Sequence, residues 1–398
     1  VIDYLADSSI LKGDKKLTIT VKTMAGFEEI LVKEINALGI LDVKVGLRHV
    51  TYEGTMEDVY RSCLFLRTAV RVLVPIATFK AFTPDRMYKK FMQFDWTQWM
   101  TLDHTFAINA TVHSELFTHS QFAGLRVKDA IADHFREKFG RRPSVDVENP
   151  DISWDVHIDR QFIRLSLNMS GASLHKRGYR LGGAMAPISE VLAAGLVDLT
   201  GWDGTQTLWN PMCGTGTIAI EAARKAAGLP PHLSSRTFGF ENLDGYDKEL
   251  WQSIRQKAFD SKIKPDTIYA SDIDIGVVAL ARKHADIAGV GDFVEITRED
   301  FFGSAKPADS GIIILNPPYG ARIEIPEGFY KQMGDQLKTY CKGWNAYIIS
   351  TPDKLKQVGL RPSGKIQVFN GSLECRFNRY EMYDGTRKVK HNNDASET

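Results

Sequence analysis

The stretch "TLWNPMCGTGTIAIEAARKAAG", residues 207–228, decides the fold of this chain. A short strand-like run, "TLWN", passes into a loop with glycines at 214 and 216. A helix follows, with Ile218, Ala219, Ile220, Ala222 and Ala223 setting its apolar face. Strand, tight glycine loop and helix in that order open a doubly wound parallel sheet. Glycines let a ligand approach the backbone closely, and the first turn of the helix presents unpaired N–H groups. The stretch also fits the dinucleotide pattern G-x-G-x-x-A, with Ala219 last, so the loop alone does not identify its ligand.

Downstream, the same grammar repeats. "TIYASD" leads into "IGVVALARKHADIAGV", "FVEITRED" follows, "GIIILNPPYG" leads to "GFYKQMGDQLKTYCKGW", and "NAYIIST" leads to "PDKLKQVGL". Short apolar strands alternating with helices indicate an α/β fold with a largely parallel sheet. The run "KIQVFNGSLECRFNRYEMYDG" holds Asn370-Gly371 between two strand-like segments, so an antiparallel hairpin is expected to close the sheet. Upstream, residues 17–75 read as a small α+β module and about 76–170 as a second. In the second, "HSQFAGLRVKDAIADHFREKFG" is expected to form a helix burying Phe122, Leu125, Ala130, Ile131 and Phe135. Its opposite face carries Arg126, Lys128, Arg136 and Lys138, followed by Arg141 and Arg142; either a solvated surface or a phosphate-binding one would look like this.

The chain has 398 residues, of which 43% are hydrophobic and 25% charged, which fits a globular protein of two or three domains. No run has the roughly 18 apolar residues of a membrane span, and the first residues lack the pattern of a signal peptide, so a cytoplasmic protein is expected. Cys63, Cys213, Cys341 and Cys375 lie far apart, which argues against a disulfide framework or a zinc site, and no metal is expected. Net charge is +1, with residues 1–180 at roughly +3 and the rest at roughly −2, too weak a tilt to announce nucleic acid.

In such a sheet the ligand lies beyond the carboxyl ends of the strands. Asp272 ends the second strand, where a carboxylate can accept both hydroxyls of a ribose; the competing role is a helix cap. It follows the glycines by more than the roughly 20 residues of a dinucleotide enzyme, because "LPPHLSSRTFGFENLDGYDKELW" intervenes. Asp300 ends the third strand and could accept an adenine amine while Phe301 packs on the ring, unless they are a turn Asp and a core Phe. The fourth strand ends in Asn316-Pro317-Pro318-Tyr319. The Asn316 carbonyl and the next backbone carbonyl can take the two N–H bonds of an exocyclic base amine. The prolines stiffen the turn and Tyr319 offers a face for an extruded base.

"NPPYG" after an apolar strand, with "PMCGTGT" and "SDID", resembles the class I S-adenosylmethionine-dependent methyltransferases that act on base amino groups. "SLHKRGYRLGGAMAPISEVLAAGL", then "WNPMCGTGTIAIEAA" and "FGFENLD", is similar to bacterial 23S rRNA guanine-N2 methyltransferases with an N-terminal THUMP domain. The resemblance implies a Rossmann-like methyltransferase domain over 173–388, a ferredoxin-like element over 1–59, an RNA-binding THUMP domain over 60–172 and a polar tail over 389–398. It implies one methyltransferase domain, where some relatives carry two. It implies S-adenosyl-L-methionine as cofactor, with Gly214 and Gly216 under its methionine part, Asp272 and the adjoining Ile273 at its ribose, and Asp300 with Phe301 at its adenine. Asn316, Pro317 and Tyr319 would hold the base, Asn316 also bordering the cofactor. Relatives usually have Asp where this chain has Asn210, which keeps an acceptor but loses a charge. Lys176, Arg177 and Arg180, with Arg141 and Arg142, are candidate RNA contacts. Cys213 lies in the cofactor loop, so packing is expected of it rather than nucleophilic chemistry. Three other readings stay open: an adenine-N6 DNA methyltransferase, a non-catalytic RNA-binding or assembly protein, and a dehydrogenase.

Overall fold

The computed structural model describes residues 2–117, 119–182, 188–232, 236–261, 263–319 and 325–383; the expected tail and the last residues of the expected methyltransferase domain lie outside them. The first half contains β1 (Ile2–Leu5), β2 (Leu17–Thr23), α1 (Glu28–Ala37), β3 (Val43–Gly46), β4 (His49–Gly54), α2 (Met56–Phe65) and β5 (Ala69–Lys80). It continues with α3 (Pro84–Met92), β6 (Phe106–His113), α4 (Ser120–Phe139), β7 (Ile152–Asp159) and β8 (Phe162–Asn168). Strand order β3-β4-β2-β5 with helices after the first and third strands is a ferredoxin-like βαββαβ unit. Ile19, Val21, Val50 and Tyr52 point from alternate strand positions onto Leu31, Ile35, Val59 and Tyr60 of the two helices. A reciprocal cap between Thr55 and Asp58 starts α2.

The twelve residues of β5 reach beyond that unit and pair with β8. Strands β8, β7 and β6 therefore extend the same sheet, which has eight strands among the described residues, with β1 on β5. The expected division after residue 59 falls inside α2, and the two modules join along β5. In α4 the buried stripe is Ala123, Val127, Ala130, Ile131 and Phe135. Phe122 and Leu125, expected inside, are 50% and 46% exposed. Ala123 is buried in their place and Gly124 lies against Ile108 and Ala110 of β6, so the apolar stripe in the sequence is wider than the face that α4 buries.

The second half contains α5 (Glu190–Leu199), β9 (Leu208–Pro211), α6 (Thr217–Ala226), α7 (Lys248–Asp260), β10 (Ile268–Asp272), α8 (Ile275–Ile287) and β11 (Val294–Arg298). It ends with β12 (Gly311–Leu315), α9 (Phe329–Tyr340), β13 (Trp344–Ser350), α10 (Pro352–Gln357), β14 (Gly364–Asn370) and β15 (Leu373–Glu381). The sheet order is β11-β10-β9-β12-β13-β15-β14. Strands β9 to β13 run parallel, and β14 and β15 form the expected antiparallel hairpin. Along β12, Ile312 and Ile314 join a core with α5, α6 and α8, while Ile313 and Leu315 join the opposite core with α9 and α10. Both faces are covered, which is why the strand reads as an unbroken apolar run.

The two halves interlock. The segment between α6 and β10, which the sequence shows only as a long spacer, sends Phe238, Phe240, Leu243, Trp251 and Ile254 into the core of the first half. In return, Phe27 and Ile30 of the ferredoxin-like unit enter the core around α5. Gly195 on α5 makes room, since a Cβ there would lie 2.1 Å from the Phe27 ring.

Candidate functional site

The chain leaves β9 for α6 on one face of the sheet and leaves β12 for α9 on the other, so a crevice opens between the carboxyl ends of these neighbouring strands. Asn210 spans that crevice from within. It is 0% exposed; its Nδ2 donates to the Ile314 carbonyl at 2.7 Å, and its Oδ1 has no hydrogen-bond partner among the described residues. A buried acceptor without a partner at a ligand crevice is costly unless a ligand donates to it.

Next to it, the loop turns through positive φ at Met212 (60°), Gly214 (56°) and Gly216 (79°). A Cβ at 214 would meet nothing within 4 Å, so the space over this glycine is open to a ligand. The loop is tied to β10: Cys213 N–H donates to the Ser271 carbonyl (2.8 Å) and Gly214 N–H to Asp272 Oδ2 (2.9 Å). Asp272 Oδ1 accepts from Asp274 N–H at 3.1 Å. The helix-capping role belongs to Asp274, whose carboxylate accepts from Gly276 and Val277 N–H. Asp272 is thus left at the strand end as an acceptor facing the glycine loop. The Cys213 thiol is buried beside the Asp272 carboxylate, and both effects push its pKa up, away from the thiolate.

At the end of β11, Asp300 is exposed and its Oδ1 accepts from Phe302 N–H at 3.0 Å. The ring of Phe301 does not face it. It is 2% exposed and packs on Trp209, 5.7 Å between centroids, so it cannot offer a face to an adenine. The reading of Phe301 as a ligand platform is corrected: the turn after β11 directs this ring into the core with Trp209. Ile273, 61% exposed beside Asp272, supplies apolar surface on that rim.

Beyond β12, Asn316 is half-buried and its Oδ1 is enclosed without a partner among the described residues. Pro317 is buried. The Pro318 carbonyl accepts from the Tyr330 hydroxyl at 3.0 Å, and that hydroxyl also meets Ser350 Oγ at 2.7 Å. Tyr319 lies half-buried against the core, its oxygen accepting from Asn370 Nδ2 at 3.1 Å. Burial raises its pKa, so the phenol stays neutral. Residues 320–324 lie outside the described residues. Tyr330, Ser350 and Asn370 carry no sequence signal for this role; only the register of the hairpin and α9 brings them here. The arrangement can hold a planar ring on Tyr319 and accept N–H bonds at Asn316, beside a second pocket over the glycine loop.

The candidate cations divide. Lys176, Arg141 and Arg142 are exposed. Arg177 is 2% exposed and is corrected from an RNA contact to a structural group. It donates to the carbonyls of Leu174 and Arg67, meets His232 Nε2 at 2.9 Å, and its Nε lies 3.6 Å from Glu221. Arg180 is also committed inward, to the Ile188 carbonyl, Thr217 Oγ1 (2.9 Å) and Glu190 (3.3 Å). Buried guanidiniums need this many acceptors, which a sequence does not display. Among the described residues no helix is long and apolar enough to cross a membrane, and no cluster of three or more His, Cys, Asp or Glu could hold a metal ion.

Three family profiles match the chain: a ferredoxin-like domain of the RlmL type over residues 18–73, a THUMP domain over 82–168, and an RMKL-like methyltransferase domain over 177–379. The ribosomal RNA large subunit methyltransferase K/L of Syntrophotalea carbinolica is 37% identical over 373 residues, 90% of this chain and 52% of that protein. The chain thus spans about half the length of the K/L relatives it matches. A Synechocystis protein named as a candidate RNA methyltransferase is 36% identical over 90% of this chain and 95% of its own. Among solved structures, SMU.472, described as a candidate methyltransferase complexed with SAH, superposes with a TM-score of 0.81 at 26% identity, covering 94% of this chain and 100% of that one. A Listeria monocytogenes protein described as a predicted N6-adenine-specific DNA methylase gives 0.80 at 30% identity, covering 92% and 96%.

Proposed function

The chain belongs to the RMKL-like methyltransferase family, and from that premise we propose that it transfers a methyl group from S-adenosylmethionine to the N2 amine of a guanine in RNA, with large-subunit ribosomal RNA as substrate. The observation that carries the proposal is the enclosed, unpartnered Oδ1 of Asn316 at the end of β12, with Tyr319 beside it. The cofactor, when bound, supplies an electrophilic methyl. The residues present fit it: Asn210 Oδ1 is an unpartnered acceptor suited to an ammonium, Gly214 has open space above it, Asp272 with Ile273 at the end of β10 would take the ribose, and Asp300 beyond β11 the adenine.

On the substrate side, Tyr319 stacks the extruded base and Asn316 Oδ1 with the Pro317 carbonyl accepts the two amine N–H bonds. Those bonds turn the nitrogen lone pair toward the methyl, and positioning rather than a protein nucleophile supplies the rate. The proton leaves to solvent afterwards. The THUMP match supports folded RNA as the partner, gripped through shape and phosphates by Lys176, Arg141 and Arg142. The proposal places the protein in the cytoplasm.

The name given to the Listeria structure favours a second reading, adenine N6 in DNA, since Asn-Pro-Pro-Tyr can hold either amine. Labelled methyl transfer to 23S rRNA from cells lacking the protein, run against unmodified DNA, separates the two. Label in rRNA that digests to N2-methylguanosine is expected; label confined to DNA overturns the proposal. Asn316→Ala is expected to abolish transfer while calorimetry still registers cofactor binding, and unchanged turnover would remove Asn316 from its role.

A further inference from the structure

We propose that Asn370, at the turn of the C-terminal hairpin, is a positioning residue that sets the Tyr319 ring for the target base. This rests on the reading of Asn316 to Tyr319 as the base holder. Stacking alone needs only the face of a ring, so phenylalanine would serve it. The hydroxyl of Tyr319 must answer to something else, and its hydrogen-bond partner comes from the hairpin: Asn370 Nδ2 at 3.1 Å.

Asn370 is well placed to fix that hydroxyl. It is the last residue of β14 and pairs with Leu373 across a turn where Gly371 takes φ 65°, so its backbone is held from both strands. The other end of the motif is pinned separately, by the Tyr330 hydroxyl on the Pro318 carbonyl and by Ser350 behind it. Pro317 and Pro318 stiffen the link between. With one side against the core and its para oxygen held by Asn370, the ring cannot swing outward without breaking the bond. A base stacked on it inherits that orientation. A small rotation there displaces the amine from Asn316 Oδ1, which lowers the rate rather than cofactor affinity.

The test is a double-mutant cycle with Asn370→Ala, Tyr319→Phe and the pair, reading kcat and KM for an rRNA fragment, cofactor affinity by calorimetry and thermal midpoint. Each single variant is expected to lower kcat about 5- to 10-fold, the loss from one hydrogen bond, with cofactor affinity and midpoint unchanged, and the pair to lose no more than either single. Wild-type kcat in Asn370→Ala, or losses that multiply in the pair, overturns the role of Asn370 while leaving the function standing. If Asn370→Ala fails to fold, Tyr319→Phe alone decides: a comparable fall in kcat supports the role and an unchanged kcat overturns it. A wild type that binds cofactor yet methylates no rRNA overturns both.

Discussion

Glu34 in α1 carries the least comfortable carboxylate of the contact between the halves. Its Oε2 accepts from the backbone of Arg67 and Thr68 and from Thr68 Oγ1, at 3.0 to 3.1 Å, while burial and then the Asp198 charge push its pKa up from 4.5 to about 7. Between those values the folded protein keeps a proton that the unfolded chain has lost. Stabilisation from Glu34 is therefore complete below about pH 4.5 and disappears as pH rises through about 7. Urea midpoints are expected to fall between pH 5 and 8 in the wild type, and Glu34→Gln to flatten that slope; an identical slope in both would refute it. At this scale the sequence is legible where function is local. Gly214, Asp272 and Asn316 stand out because strand ends collect ligands and their flanking residues are adjacent in the chain. Phe301 and Arg177 were misread because which way a ring or a guanidinium turns is decided by partners more than 40 residues away, Trp209 for one and Arg67 with His232 for the other.

Helix α7 shows what an element can hide. Its sequence, "KELWQSIRQKAFD", reads as an ordinary amphipathic helix with an Asp247 cap, and nothing in it says that it serves the other half of the chain. Trp251 is 2% exposed and meets Tyr60, Phe238 and Phe240 edge-on or tilted, with centroids 5.2 to 5.9 Å apart. Truncating a buried tryptophan leaves a cavity that the surrounding rings cannot fill, and Trp251→Ala is expected to cost about 3–5 kcal/mol of folding stability. Chemical denaturation should register that loss, and a cost below about 1 kcal/mol would mean that the aromatic cluster is not what joins α7 to α2. The strands of the second sheet were readable as short apolar runs between helices, and the hairpin from Asn370-Gly371. The wrong stripe on α4 has the opposite cause: Phe122 and Leu125 satisfy helical spacing, yet the buried face runs through Ala123, Val127, Ala130, Ile131 and Phe135 and leaves them at its edge.

For the whole molecule, the two halves behave as one packed body. Arg177 is the meeting point: the linker, the first half through Arg67, the segment after α6 through His232, and α6 through Glu221 all converge on it. Arg177→Ala removes the cation 3.6 Å from buried Glu221 and strands the acceptors it joins, and is expected to destabilise by about 3–5 kcal/mol. Arg141→Ala with Arg142→Ala should instead leave stability unchanged and flatten the salt dependence of RNA binding, each removed phosphate contact lowering the slope by about 0.7–0.9. Filter binding across a salt series, beside thermal melts, checks both; the reverse pattern would exchange the roles assigned to the two groups. A domain division could be guessed from the change of grammar near residue 185, but not the exchange of side chains across it. The insertion of Phe238, Phe240 and Trp251 into the first core has one more consequence, which concerns the order in which the chain is made. The first half emerges during synthesis with the seat for those rings empty, and Tyr60 stays uncovered until α7 follows. The nascent N-terminal half therefore cannot seal its core on its own, and its final closure waits for residues made only after β9, the first strand of the second sheet.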